Sequence, residues 1–265
     1  MNTLPLIEAG AGRRATMLDP LQLLVLAGAG FLAGAVNGVA GGGSLISFPA
    51  LMAMGYSPIA ANVTSALATL PGYVGGLVGY RDELPAVRPQ VPRLSVVSAC
   101  GAACGSAILL AAPPEQFESI VPFLVLVSVV ALALQESLAR RVGGDRAAGG
   151  GHALLAGQFV VAMYGGYFAA GLGVMMLAVL GTFLADDLHR LNALKSALSL
   201  VVGLISALCF SVFGPVEWIP VAVMSLTGLA GGRSGVVLAR RVPPHVLRWL
   251  IVGFGLILSG ALFVR

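Results

Sequence analysis

The sequence predicts an all-α polytopic membrane protein. It would be built as two inverted-topology repeats of about five membrane-entering helices each, with glycine-broken half-helices. Three observations lead there. Hydrophobic residues make up 58% of the 265-residue chain and charged residues only 10%, with a mean hydropathy of +0.95. A soluble domain carries about 25% charged residues, and no core of this size could hide so much apolar surface from water. Apolar runs recur along the whole length, enough for about eight to ten crossings at about 20 residues each. Glycine and asparagine landmarks also recur at one offset, 130: Gly41 with Gly171, Gly43 with Gly173, Asn62 with Asn192. Duplicated halves are a common plan of secondary transporters.

The elements follow in order. Residues 1–17 form an N-terminal tail that contains Glu8 and lacks the apolar stretch of a signal peptide. Arg13-Arg14 reads as the basic flank of the first span. Repeat 1 covers 18–139: a span at 18–40, the break Gly41-Gly42-Gly43, a short run at 44–54, a full span at 59–80, a polar loop at 81–93, and spans at 94–112 and 117–139. Residues 140–151, RRVGGDRAAGGG, are a basic glycine-rich linker. Repeat 2 covers 152–265: a run at 153–170, the break Gly171-Leu172-Gly173, a short run at 174–184, a polar stretch at 186–190, and spans at 191–213, 218–239 and 246–264. Gly30, Gly34 and Gly38 have the spacing of a helix-packing face. Cys100 and Cys104 sit beside Gly101 and Gly105, and together with Cys209 they lie in apolar stretches. A disulfide scaffold or zinc site is not expected there.

Charge decides the relation of the halves. The 81–93 loop carries Arg81, Arg88 and Arg93, whereas its counterpart near 214–218 has only Glu217. The loop at 113–118 has Glu115 and Glu118, whereas its counterpart at 240–248 has Arg240, Arg241 and Arg248. Basic loops stay in the cytoplasm, so equivalent loops should lie on opposite sides. Inversion requires an odd number of arms per half. The short runs at 44–54 and 174–184 supply the odd arm. About 11 helical residues rise only roughly 16 Å, half a bilayer. Arg13-Arg14 on the outer side is the one feature this topology leaves unexplained.

Chemistry should reside at the breaks. A glycine run exposes successive N–H groups, Ser44 suits a helix N-cap, and a half-helix N-terminus deep in the bilayer attracts an anion. Intramembrane polar residues are the other candidates, because burying them is costly: Asn62, Thr64, Ser65, Asn192, Lys195 and Ser196. The expected substrate-binding set is Gly41, Gly42, Gly43, Ser44, Asn62, Ser65, Gly171, Gly173, Asn192 and Lys195. Lys195 is the only lysine among the 15 basic residues. It would be a mobile cation beside the anion, unless it snorkels to the headgroups as Arg233 is expected to do. Gly28-Ala29-Gly30-Phe31-Leu32-Ala33 mimics a dinucleotide fingerprint but lacks its acidic partner, and no Gly-Lys-Ser/Thr closes a P-loop at Gly41. No Asp, Glu or His lies deep in a span on this map, so catalytic residues, a metal and cofactors are not expected. The expected partners are a small anionic substrate and the lipid bilayer. No nucleic acid is expected, and a homo-oligomer is compatible with the sequence.

The stretch FLAGAVNGVAGGGSLISFPALMAMGYSPIAANVTSALATLPG at 31–72 resembles the signature of the sulfite exporter TauE/SafE family. YGGYFAAGLGVMMLAVLGTFLADDLHRLNALKSAL at 164–198 resembles that family's second repeat. The resemblance runs from about Leu21 to the C-terminus and is carried mainly by the glycine break, Pro49 and Ala60-Ala61-Asn62. It implies a permease for sulfur-containing anions: sulfite, a sulfonate such as sulfoacetate, or thiosulfate. Residues and resemblance together predict a secondary anion transporter of the bacterial inner membrane. A passive anion channel and a membrane enzyme acting on lipid phosphate are the alternatives.

Overall fold

A computed structural model describes residues 19–39, 42–134, 151–184, 186–239 and 252–253. Every regular element among them is helical. The helices are α1 Pro20–Val39, α2 Ser44–Ala53, α3 Pro58–Ala68, α4 Leu70–Gly79, α5 Leu84–Val87, α6 Val91–Ala111, α7 Pro114–Ala133, α8 Gly151–Tyr167, α9 Leu172–Phe183, α10 Leu188–Phe213 and α11 Trp218–Ala239. Four of them, α1, α6, α7 and α10, are individually long and apolar enough to cross a bilayer. Large apolar side chains such as Leu24, Val96, Leu208, Phe213 and Leu226 point outward, the arrangement a lipid environment stabilises. The expected last span, 246–264, lies outside the described residues apart from 252–253, as do the tail and the linker up to residue 150; Gly151 instead opens α8.

Several boundaries differ from the sequence reading; α6 and α7 start three residues early, at Val91 and Pro114, each with a proline in its first turn. The full span at 59–80 is divided at Thr69 into α3 and α4. Pro71 has no N–H to give Leu67 and its ring crowds that carbonyl, which interrupts the helix. The second short helix starts at Leu172, two residues earlier than expected, because Gly171 takes a left-handed φ of 75° and turns the chain there. The span after it begins at Leu188 rather than Leu191. Asp187 accepts from the backbone N–H groups of His189 and Arg190 and so caps the first turn.

Side-chain pairings fix the helix directions. Gly30 of α1 lies on Met224 and Thr227 of α11, and Gly34 lies on Gly228, so α1 and α11 run in parallel. Thr64 pairs with Glu217 and Ala68 with Ser225, so α3–α4 run the same way. In contrast, Val63 meets Gly214, Tyr73 meets Gly203 and Gly76 meets Ser196, so α10 is antiparallel to α3–α4. On the other side, Gln158 bonds Ser98 and Ser106 bonds Gly166, which makes α6 and α8 parallel. α2 folds back along α1, placing Gly43 against Ala33 and Asn37. α9 folds back along α8, with Leu172 on Gly165 and Val179 on Gly157.

These directions sort the loops into two ends. One end holds Arg81, Arg88, Arg93 and Arg190 together with Asp82, Glu83, Asp186 and Asp187. The other holds Asp19, Glu115, Glu118 and Glu217, and no Lys or Arg among the described residues.

Glycines set the two closest helix crossings. A Cβ on Gly34 would strike the Gly228 backbone, and one on Gly231 would strike the carbonyl of Phe31. On the α6–α8 side, a Cβ on Gly101 would lie 2.6 Å from the carbonyl oxygen of Phe159, and one on Gly105 would lie 2.9 Å from the backbone of Met163 and of Tyr167. Close backbone approach through small residues is how helices associate in lipid. Gly30 and Gly34 therefore pack, as their spacing indicated. Cys100 and Cys104 point out to the surface while their glycine neighbours make the contact.

Candidate functional site

The two broken helices meet inside the bundle. The chain leaves α1, turns, and restarts as α2 at Ser44, level with Ala33–Asn37 and thus well along the bilayer-crossing part of α1. Asn37 makes that turn: its Oδ1 accepts the Gly43 N–H at 2.7 Å. Gly43 is buried so tightly that a Cβ would lie 2.8 Å from the Asn37 Cγ. Ser44 was expected to cap α2, and it does not. It is the first helical residue, and its hydroxyl donates instead to the carbonyl of Ala169 at 3.3 Å, in the other break. That bond ties the start of α2 to the chain between α8 and α9.

The second break is held by three further groups. Asn62 of α3, 4% exposed, donates from Nδ2 to the Tyr167 carbonyl at 2.9 Å. Ser128 of α7 donates to the Ala170 carbonyl at 2.9 Å, and so does the Tyr164 hydroxyl at the same distance. The two hydroxyls lie 2.7 Å apart. Carbonyls that the interrupted helix leaves without N–H partners are thereby satisfied inside the membrane, as they must be. Gly171 rests on Ser128, where a Cβ would lie 3.2 Å from its Cβ. The N-termini of α2 and α9 both start at this junction, so their partial positive charges add there.

A cleft opens beside the first break, between α1, α2, α3–α4 and α11. Its polar lining is Asn37, Ser47 and Thr69, and glycines 30, 34, 72 and 228 form much of the rest. Its empty volume is about 240 Å³, but it is narrow, with room for about one water molecule. Ser47 and Ser65, both buried, share a 2.6 Å hydrogen bond in its wall. None of the described residues that build the junction and cleft is Asp, Glu, His, Lys or Arg. Among the described residues, no group of three His, Cys, Asp or Glu is placed to hold a metal.

The expected site residues thus separate into two sets. Gly42, Gly43, Ser44, Asn62, Gly171 and Gly173 are at or next to the junction, and Ser65 lies behind the cleft through Ser47. Gly41 lies outside the described residues. Asn192 and Lys195 are elsewhere. They sit in the first turns of α10, and because α10 opposes α3–α4 they lie toward the arginine-bearing end of the bundle, away from the Asn62 level and about one turn of α4 beyond Gly72, since Ser196 faces Gly76. There the Lys195 ammonium donates to the Asn192 Oδ1 at 2.8 Å, Asn192 Nδ2 donates to the Leu188 carbonyl, and Ser196 Oγ donates to the Asn192 carbonyl. Thr64 Oγ1 accepts the Glu217 N–H. The side chain of Arg233 lies outside the described residues. Just beyond the span, Asp187 is held below the usual carboxylate range, first by the N–H of Arg190 and then by that of His189 and by the Arg190 guanidinium. Asn37, Ser47, Thr69, Ser128 and Tyr164 are the residues that sequence reasoning missed.

The family model described as "Sulfite exporter TauE/SafE" matches residues 26–262, nearly the whole chain and both breaks. The chain belongs to this family. Its relatives carry matching names. It is 27% identical over 247 residues to the "Probable membrane transporter protein YfcA" of Escherichia coli K12, covering 93% of this chain and 91% of that one. It is 24% identical over 233 residues to a "Probable membrane transporter protein" of Haemophilus influenzae, covering 87% and 90%. It is 26% identical to the "Probable membrane transporter protein ORF9" of Sinorhizobium sp, covering 89% of each. No solved structure matches it. The protein is therefore a multi-pass membrane transporter of the TauE/SafE family, acting on a small molecule across a lipid bilayer.

Proposed function

We propose that this transporter is a secondary carrier that moves a small sulfur-containing anion, such as sulfite, sulfoacetate or thiosulfate, across the bacterial inner membrane. The observation that supports this most is the junction itself. Two half-helix N-termini start beside one another, joined by Ser44 and the Ala169 carbonyl, where none of the described residues carries a carboxylate. The N–H groups of Gly43, Leu45, Ile46, Leu172 and Val174 already have acceptors, so the junction offers an anion chiefly the summed dipoles of the two helices, against the hydration it loses on leaving water. A cation site built from carboxylates would need other residues.

The helix directions favour inverted repeats. α1 and α3–α4 run opposite to α10, whose sequence counterpart is α3–α4 at the offset of 130. Each half gives its first helix to the other half's fourth, α1 to α11 and α8 to α6. An axis in the membrane plane accounts for both facts. The end with Arg81, Arg88, Arg93 and Arg190 would then face the cytoplasm. Lys195 and Asn192 lie toward that end, where they would receive the anion rather than hold it at the junction.

Proteoliposome counterflow tests the function. Vesicles preloaded with unlabelled sulfoacetate should transiently accumulate external labelled sulfoacetate. Uptake that only equilibrates, with no trans-stimulation, would identify a channel instead. Failure with sulfite, sulfoacetate and thiosulfate alike, in vesicles shown to hold folded protein, would refute the substrate class.

A further inference from the structure

The two halves differ where a symmetric carrier would repeat itself. In the first half, the Asn37 side chain lies over Gly72 of α4, whose absent Cβ would be 2.9 Å from the Asn37 Nδ2. In the second half, the counterpart of Asn37 at the offset of 130 is Tyr167, which has no side-chain amide and whose carbonyl accepts from Asn62. Nearby, Val202 and Leu172 fill the space over Gly165, where a Cβ would lie 3.0 Å from the Val202 Cγ1 and 2.6 Å from the Leu172 Cδ1. The counterparts of Ser47 and Thr69 are Leu177 and Ser199. Leu177 is buried in the core, and Ser199 donates to the sulfur of Met176 at 3.6 Å. The first half therefore keeps a polar cleft where the second half is packed shut with apolar side chains.

We propose that the transported anion is held off the pseudo-twofold axis, in the cleft between α1, α2, α4 and α11, which has room for about one water molecule here and must widen to admit it, with Asn37 as its principal donor and no equivalent site in the second half. This rests on the anion-carrier reading above and assigns its site. Asn37 divides its amide between two tasks. Its Oδ1 accepts the Gly43 N–H at the start of α2. Its Nδ2 faces Gly72 and the cleft and has no hydrogen-bond partner among the described residues. An oxyanion in the cleft would accept from that Nδ2 and from the hydroxyl of Ser47, which would turn from Ser65 to the ligand. A ligand taken up there is coupled through one planar amide to the geometry of the break, since moving the Asn37 nitrogen moves the oxygen that fixes Gly43. The donors are neutral and none of the described lining residues is a cation, so they favour a small anion with several acceptor oxygens.

The conservative variant Asn37→Asp separates the two tasks. It keeps the oxygen that caps Gly43 and replaces the donor with a carboxylate that repels an anion. The expected result is a loss of at least about tenfold in sulfoacetate counterflow, with detergent-micelle stability close to that of the parent. Undiminished exchange in Asn37→Asp would overturn the assignment. A second measurement does not depend on transport. In a background with Cys100, Cys104 and Cys209 replaced, Thr69→Cys should react with a small anionic methanethiosulfonate at least about tenfold faster than Ser199→Cys, and sulfoacetate should slow that reaction. Equal reactivity at the two positions would overturn the one-sided cleft. Fast labelling of Thr69→Cys alone, with no exchange of any tested anion by the parent, would sink the anion reading and still support the one-sided cleft.

Discussion

Gly105→Ala tests whether close backbone approach between α6 and α8 holds this bundle together. The added methyl would lie 2.9 Å from the Met163 carbonyl carbon and 2.9 Å from the Tyr167 nitrogen, with the Met163 oxygen closer still. Carbon contacts settle near about 3.5–4.0 Å, so the two helices must part by about 1 Å. These neighbours are backbone and cannot rotate away. Overpacking of this kind costs about 1–3 kcal/mol. Parting also stretches the bond from Ser106 Oγ to the Gly166 carbonyl, now 3.2 Å, past hydrogen-bonding range, a further loss of about 1 kcal/mol. Alanine regains about 1 kcal/mol of helix propensity over glycine. The net expectation is destabilisation by about 1–3 kcal/mol. Gly28→Ala and Gly75→Ala are the controls, because nothing lies within 4 Å of either Cβ. They should be neutral or more stable by up to about 1 kcal/mol. Reversible unfolding by SDS titration in mixed micelles, followed by tryptophan fluorescence, measures the difference. If Gly105→Ala proves as stable as Gly28→Ala, the glycine-crossing argument fails here.

Other expectations are as direct. Gly171→Ala forces an L side chain to φ 75° against Ser128 and should cost about 1–2 kcal/mol in the same titration, with anion exchange reduced because the turn between α8 and α9 shifts. Asn62→Ala leaves the Tyr167 carbonyl buried without its donor and should destabilise by about 1–3 kcal/mol, whereas Asn62→Gln should recover part of that loss. Lys195→Ala and Lys195→Gln should lower the initial exchange rate by about tenfold and Lys195→Arg much less, with an effect that shrinks at high salt if the residue steers anions from its end of α10. Unchanged rates would make Lys195 a headgroup-facing lysine only. The folded-state value of Asp187 is depressed, so its contribution is present above the ordinary carboxylate value of 3.8 and is lost as pH falls through the lower folded value. Amide exchange at His189 and Arg190, relative to the unstructured-peptide rate, should therefore rise on acidification below about pH 4 and should be pH-independent in Asp187→Asn.

The all-helical membrane architecture was legible because bilayer solvation imposes a one-dimensional rule, long apolar runs, that sequence displays directly. Break positions were legible for a related reason: Gly43 and Gly171 are required by local backbone conformation and by contact with Asn37 and Ser128. The kink at Thr69 could have been anticipated, since Pro71 stands inside the run from Ile59 to Tyr80. Asn37 stands as a polar residue in the first apolar span, beside Gly38 of the packing pattern, and only its contact with the Gly43 N–H marks it out. Ser128 and Tyr164 were not accessible in this way. Their importance comes from which carbonyls the second break exposes, and that is decided by three helices distant in sequence. The pairing of Lys195 with Asn192 shows the same limit. Both stand out in the sequence as intramembrane polar groups, but only the antiparallel course of α10 places them toward the opposite end from Asn62.

The exchange of helices between halves has a consequence for synthesis. The glycine face of α1 is covered by α11, which begins nearly 180 residues after α1 ends. At about 5–20 residues per second, a ribosome needs about 10–35 s to supply that partner. Throughout this interval, the Gly30–Gly34 surface must stay in lipid or be held by the insertion machinery. The crossing of α6 with α8 closes sooner, because those helices are separated only by α7 and the linker. Assembly should therefore start in the middle of the chain and finish at its ends, leaving a half-made protein with an exposed helix-binding face and a cleft that lacks one wall.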